Sequence, residues 1–252
     1  MLNQSGTNSV VSCTTLSSVQ WQNWDTCSFT DELAIFRFEW PYQIAPEAIA
    51  SELTPAEIDR AHRFRRQEDQ HRFVHGRCIL RRLLGNYLGQ SPATIVLAEG
   101  VNRKPMLTNA PGWHFNLSHS GNWILVAVSQ QWVGVDLEKC VPEFDYKEIL
   151  SPSFSESEQR FITESLHCTD AFYTLWTRKE ALVKATAKGV DEDFARIPSL
   201  DGSHTVDSLI IGASGNWQVN SFLVEENYPA AVAHPLKSKA PQFYTLDRRF
   251  LG

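Results

Sequence analysis

Apolar and polar positions alternate with period two over residues 32–40, where Leu33, Ile35 and Arg37 fall on one face and Ala34, Phe36, Phe38 and Trp40 on the other. That pattern predicts a well-buried strand. Thr54-Pro55-Ala56-Glu57 then combines an N-cap hydroxyl, a proline at the first helical position and a capping-box acid, so a helix begins there. A second helix is predicted over about residues 68–88, with Phe73, Ile79, Leu80, Leu83, Leu84 and Tyr87 near helical spacing and Gly89 as its C-terminal cap.

Three β-rich runs follow at residues 113–117, 123–129 and 132–138, separated by Ser118-His119-Ser120-Gly121-Asn122 and by Gln130-Gln131. Links this short predict an antiparallel meander. Ser155 and Glu158 form another capping box, opening a helix toward residue 166. A longer helix is expected over about residues 170–188, stopping at Gly189, and two strands near 217–224 and 230–233 come last.

Strand, helices and two strands over residues 32–129 are thus followed by strand, helices and two strands over 132–234. The repeated order suggests an α+β fold made of two similar halves, each a small antiparallel sheet packed with helices; one continuous α+β domain is the alternative. The expected boundaries are 29–130 and 131–236 for the halves, with a flexible polar extension over 1–28 and a polar tail over 237–252.

Composition narrows the class. With 42% hydrophobic and 21% charged residues in 252, the chain reads as a folded, soluble protein. Its longest apolar run, residues 123–128, is far short of the roughly 20 needed to span a bilayer. The first 36 residues hold no Lys or Arg and no secretory signal, so a cytoplasmic location and no membrane partner are expected. Cysteines 13, 27, 78, 140 and 168 form no C-x-x-C pair and read as reduced thiols. A net charge of −6 argues against nucleic-acid binding, yet eight arginines stand against two acids between Arg60 and Arg82. A local anion site on an acidic protein is the economical reading.

In Val133-Gly134-Val135-Asp136-Leu137-Glu138, alternation sends Asp136 and Glu138 to the same face. Two carboxylates about 7 Å apart along a strand can share one Mg²⁺, although a polar strand edge gives the same pattern. Glu180 and Lys184 lie one helical turn apart, either as a surface ion pair or as a metal ligand or general base with its counter-charge. His119 sits in a turn, where it is a structural hydrogen-bonder or a ligand contact. Lys104-Pro105 lies in a loop upstream.

Asn116-Leu117-Ser118-His119-Ser120-Gly121, Gly134-Val135-Asp136-Leu137-Glu138 and Trp176-Thr177-Arg178-Lys179-Glu180-Ala181-Leu182-Val183-Lys184, in this order and at these separations, resemble the signature blocks of Sfp-type (surfactin-synthetase-associated) 4′-phosphopantetheinyl transferases. The resemblance extends from about residue 31 to 236, including the Arg-rich helices and the Lys104-Pro105 loop. It implies a pseudo-dimer of two α/β halves with coenzyme A between them, and Mg²⁺-dependent transfer of phosphopantetheine to a serine of an apo carrier protein with release of 3′,5′-ADP. A monomer is expected, since the dimer is internal. By motif position it implies Asp136, Glu138 and Glu180 as metal ligands, Glu180 and Lys184 as catalytic residues, and Ser118 and His119 at the diphosphate and 3′-phosphate region. Arg60, Arg72 and Lys104-Pro105 would hold the adenosine end. Glu57 stands where family members often carry lysine, and Arg103 where they carry glycine. A non-catalytic coenzyme A or nucleotide-binding regulator is the alternative function, against which Glu180 and Lys184 count, since binding alone requires no base.

Overall fold

The computed structural model describes residues 7–40, 50–108, 110 and 112–251. Its first element corrects an expectation. Residues 8–15, assigned to a flexible extension, form strand β1 (Asn8–Thr15), with Val11 and Cys13 fully buried. Period-two burial is present, but buried Ser9 and Cys13 share the inward face with Val11, so hydropathy hides it. Residues 1–6 of the expected extension lie outside the described residues.

The first half continues with β2 (Gln22–Asn23), β3 (Leu33–Glu39), α1 (Pro55–His62), α2 (Gln67–Leu88), β4 (Leu97–Glu99), β5 (Pro105–Leu107), β6 (His114–Ser120) and β7 (Trp123–Ser129). The second has β8 (Gly134–Leu137), α3 (Lys147–Ser153), α4 (Glu156–Glu164), α5 (Cys168–Thr186), β9 (Gly202–Asp207), α6 (Ser208–Ile211), β10 (Asn216–Glu225) and β11 (Tyr228–Pro235). Both capping boxes form, at Thr54/Glu57 and Ser155/Glu158. The repeat is visible in the pairing. β3 pairs with β7 and β7 with β6, while β8 pairs with β11 and β11 with β10, all antiparallel.

Each antiparallel core is completed by a strand from the far end of the chain. β1 runs parallel beside β10, in the order β8-β11-β10-β1-β9. The expected tail contains β12 (Gln242–Leu246), which runs parallel to β3 in the order β2-β12-β3-β7-β6. The termini therefore cross between the halves. Tyr244 and Leu246 are buried in the first-half core, which corrects the reading of residues 237–252 as a polar tail.

The meander is also corrected. β6 and β7 form its hairpin, but the chain leaves that sheet after Ser129 and β8 joins the other. The two sheets face each other through Leu33, Ile35, Leu125 and Ala127 on one side and Val133, Val135, Leu137 and Val232 on the other. On the outer faces, α2 covers Phe36, Phe38, Ile124 and Val126, while α5 covers Val219, Ala231 and Ala233. This helix–sheet–sheet–helix layering explains why β3 is apolar on both faces. Among the described residues, no helix is long and apolar enough to cross a membrane.

Candidate active site

Gly134 sets the approach of β8 to α5. A Cβ there would overlap the Ala181 carbonyl oxygen and the Ala185 amide nitrogen, so only glycine lets strand and helix backbones come this close. Two residues on, Asp136 meets Lys184, whose Nζ lies 2.6 Å from Asp136 Oδ1. The surface ion pair considered for Glu180 and Lys184 is not made. Among the described residues Glu180 has no hydrogen-bond or ion-pair partner, and it lines a cavity of about 180 Å³ with Lys104, Pro105, Asn116 and Lys184.

The first half contributes β6, whose alternate side chains reach β8. Val135 N–H donates to Asn116 Oδ1 (2.8 Å), and Leu137 N–H donates to Ser118 Oγ (3.4 Å). Ser118 donates in turn to Asp136 Oδ1 at 2.9 Å. Asp136 Oδ2 is buried without a partner. Burial pushes the Glu138 carboxyl up to about 7, and the Asp136 charge adds to this. Burial raises Glu180 as well; Lys184 opposes the shift and Asp136 adds to it. Burial alone would lower the Lys184 pKa, but the surrounding carboxylates, Asp136 foremost, outweigh it and hold the ammonium charged.

Among the described residues, no group of three or more His, Cys, Asp and Glu side chains stands close enough together to hold a metal ion. A hard divalent cation needs no such group, since one or two carboxylates with water and substrate oxygens complete its shell, and Asp136 and Glu138 offer two neighbouring carboxylates. Asp136, Glu138 and Glu180 disfavour one another's charge, and one buried carboxylate oxygen is unsatisfied.

A second cavity of about 180 Å³ is lined by Arg60, Arg72, Phe73, Arg77 and His119. Pro105 and Asn116 line it and the Glu180 cavity alike, so the two are parts of one cleft between the halves. The guanidiniums of Arg60 and Arg77 lie 5.3 and 5.4 Å from the Phe73 ring centroid. Arg72 lies over Trp40 and pairs with Asp69 at 3.3 Å. Burial, then the Arg72 charge, pulls the His119 pKa down. Not all of the arginine cluster faces this cavity. Arg81 is buried against Glu57 and the carbonyls of Pro92 and Ile95, and Arg82 grips Glu52 and the Phe250 carbonyl.

The structure divides the expected residues. Ser118 and His119, adjacent on a strand, serve opposite faces: Ser118 the Asp136–Lys184 pair, His119 the arginine cavity. Lys104 lines the Glu180 cavity rather than the arginine cavity, and its Nζ donates to Val133 O (3.1 Å) and Ala185 O (3.0 Å). Burial lowers its pKa to about 8. α5 ends at Thr186, short of the expected stop at Gly189, because Ala187 turns left-handed at φ +58, and Asn102 donates to the Ala187 and Lys188 carbonyls just beyond it. Arg77 and Asn102 were missed. Arg77 was legible as the i+4 neighbour of Phe73, whereas Asn102 acts only through a contact 85 residues away.

Comparison with known proteins finds one family across both halves. The family model described as 4′-phosphopantetheinyl transferase, N-terminal, matches residues 40–131, and that of the 4′-phosphopantetheinyl transferase superfamily matches residues 132–233. A 4′-phosphopantetheinyl transferase of Bacillus subtilis is 32% identical over 184 residues, covering 70% of this chain and 80% of the relative. The 4′-phosphopantetheinyl transferase HetI of Nostoc sp. is 31% identical, covering 78% and 84%. Sfp of Bacillus subtilis strain 168 is 29% identical, covering 75% and 86%.

Proposed function

Since the chain belongs to the 4′-phosphopantetheinyl transferase superfamily, we propose that its inter-half cleft binds coenzyme A and presents it to a serine of an apo carrier protein. The protein is a phosphopantetheinyl transferase, and its relatives' shared activity sets aside the non-catalytic regulator. The observation that carries the site reading is the continuity of the cleft. An arginine-lined pocket opens past Pro105 and Asn116 onto Glu180 and Lys184.

Arg60, Arg72 and Arg77 hold the 3′,5′-bisphosphate end, where guanidinium forks match phosphate oxygens, and His119 adds a ring N–H donor. Arg77 replaces the cation absent at Glu57, which instead caps α1 and pairs with Arg81. Lys104 and Pro105 shape the middle of the cleft. Asp136, Glu138 and Glu180 would hold Mg²⁺, which when bound supplies positive charge to the diphosphate.

Glu180, without a hydrogen-bond partner among the described residues and with its carboxyl raised by burial, takes the proton of the carrier serine directly or through an oriented water. The serine oxygen forms a bond to the pantetheine-side phosphorus as the bond to 3′,5′-ADP breaks. Lys184 stays charged beside the departing phosphate and offsets its developing charge. The internal pairing of the halves supports a monomer.

Incubation with coenzyme A, Mg²⁺ and an apo carrier protein, followed by mass spectrometry, should show one phosphopantetheine added to the carrier. No addition to any of several acyl, peptidyl and polyketide carriers would contradict the assignment.

A further inference from the structure

Two serines of β6 treat two carboxylates of β8 and its end in the same way. Leu137 N–H donates to Ser118 Oγ, whose hydroxyl donates to Asp136 Oδ1. Two residues on, Lys139 N–H donates to Ser120 Oγ at 3.0 Å, and the Ser120 hydroxyl donates to Glu138 Oε2 at 2.9 Å. A serine has one hydroxyl proton. With its oxygen receiving a backbone N–H, the Ser120 proton is aimed at the carboxylate.

The two carboxylates differ in how much else holds them. Asp136 is also gripped by Lys184, but among the described residues Ser120 makes the one hydrogen bond to the Glu138 carboxylate. Glu138 lies just beyond the last residue of β8 and is half-buried, so its rotamer is not set by packing alone. We propose that Ser120 is a positioning residue, which reaches from the first half to orient Glu138 so that it and Asp136 share one divalent cation. This rests on the reading of Asp136, Glu138 and Glu180 as the cation's ligands.

The test is titration of the coenzyme-free, full-length protein with Mn²⁺, followed by electron paramagnetic resonance. Ser120→Ala should weaken Mn²⁺ binding by about 10- to 100-fold, and Ser120→Thr, which keeps the hydroxyl, should restore it to within about threefold. In transfer assays Ser120→Ala should raise the Mg²⁺ needed for half-maximal rate while leaving the KM for coenzyme A at saturating Mg²⁺ unchanged. If Ser120→Ala does not fold, Ser120→Cys, a poor donor of similar size, carries the same expectation. Wild-type Mn²⁺ affinity in the folded variant, or no restoration by Ser120→Thr, overturns the positioning role. Wild-type protein that binds no Mn²⁺ either alone or with coenzyme A present, and so behaves as Asp136→Ala does, overturns the metal reading itself.

Discussion

Lys184 Nζ lies 2.6 Å from Asp136 Oδ1, joining α5 to β8 at the point where Ser118 of the other half also bonds the carboxylate. The pair puts a cation and an acid from two elements at one spot. Removing one member should therefore separate chemistry from folding.

Asp136→Ala leaves Lys184 without its partner. Breaking a fully buried pair costs about 3–5 kcal/mol, but Lys184 is 31% exposed and can turn toward water, so about 2 kcal/mol is expected by chemical denaturation. Transfer to carrier protein should fall by about 10³-fold or more, the scale of losing preorganised charge at a reacting centre. Near-normal transfer by the folded variant would rule out a role for Asp136 in the reaction.

Deleting residues 1–15 removes a strand from between β10 and β9. It also removes Thr15 Oγ1, to which Arg178 of α5 donates at 2.8 Å. The truncated chain should lose cooperative unfolding of the second half and all transfer activity. A dispensable extension would leave both intact, which thermal denaturation and the transfer assay distinguish.

Arg103 has φ +60, in the left-handed region, directly after Asn102 at φ +49. A non-glycine residue there costs about 1–2 kcal/mol, against about 0.5–1 kcal/mol of extra unfolded-state entropy for glycine. Arg103→Gly should raise stability by about 0.5–1 kcal/mol, read from the urea midpoint. An unchanged or lowered midpoint would mean that the Arg103 side chain makes up the difference.

Lys104 supplies a pH test. Its folded pKa, lowered to about 8 by burial, lies below the ordinary lysine value of 10.5, so between these values the unfolded chain binds the extra proton. The sign follows: stability attributable to Lys104 rises as pH increases from about 8 to 10.5. Lys104→Met should lack that rise, and the difference between the two stability curves over this window isolates it. Parallel curves would show that the ammonium is not desolvated.

Much of the site was legible because its motifs are local. Alternation sent Asp136 and Glu138 to one face, helical spacing brought Glu180 and Lys184 to one turn, and Thr54/Glu57 and Ser155/Glu158 marked helix starts that the structure has. Arg81 and Arg82 show the limit. Their charge was countable, but whether each faces a cleft or a buried acid depends on Glu57 and Glu52, 24 and 30 residues away.

By itself, then, the sequence determined the strand–helix–hairpin core of each half, its repeated order and which side chains share a face, but not the terminal strands β1 and β12, since the former follow from spacings of two to four residues. Only the tertiary structure decided that the terminal strands cross between the halves and that Lys184 bonds Asp136 rather than Glu180. It also decided that Lys104 clamps the end of α5. Each of these matches a donor or strand edge with a partner far along the chain. Hydropathy does not record such pairings, because the backbone of a Ser- and Thr-rich strand forms the same ladder as an apolar one.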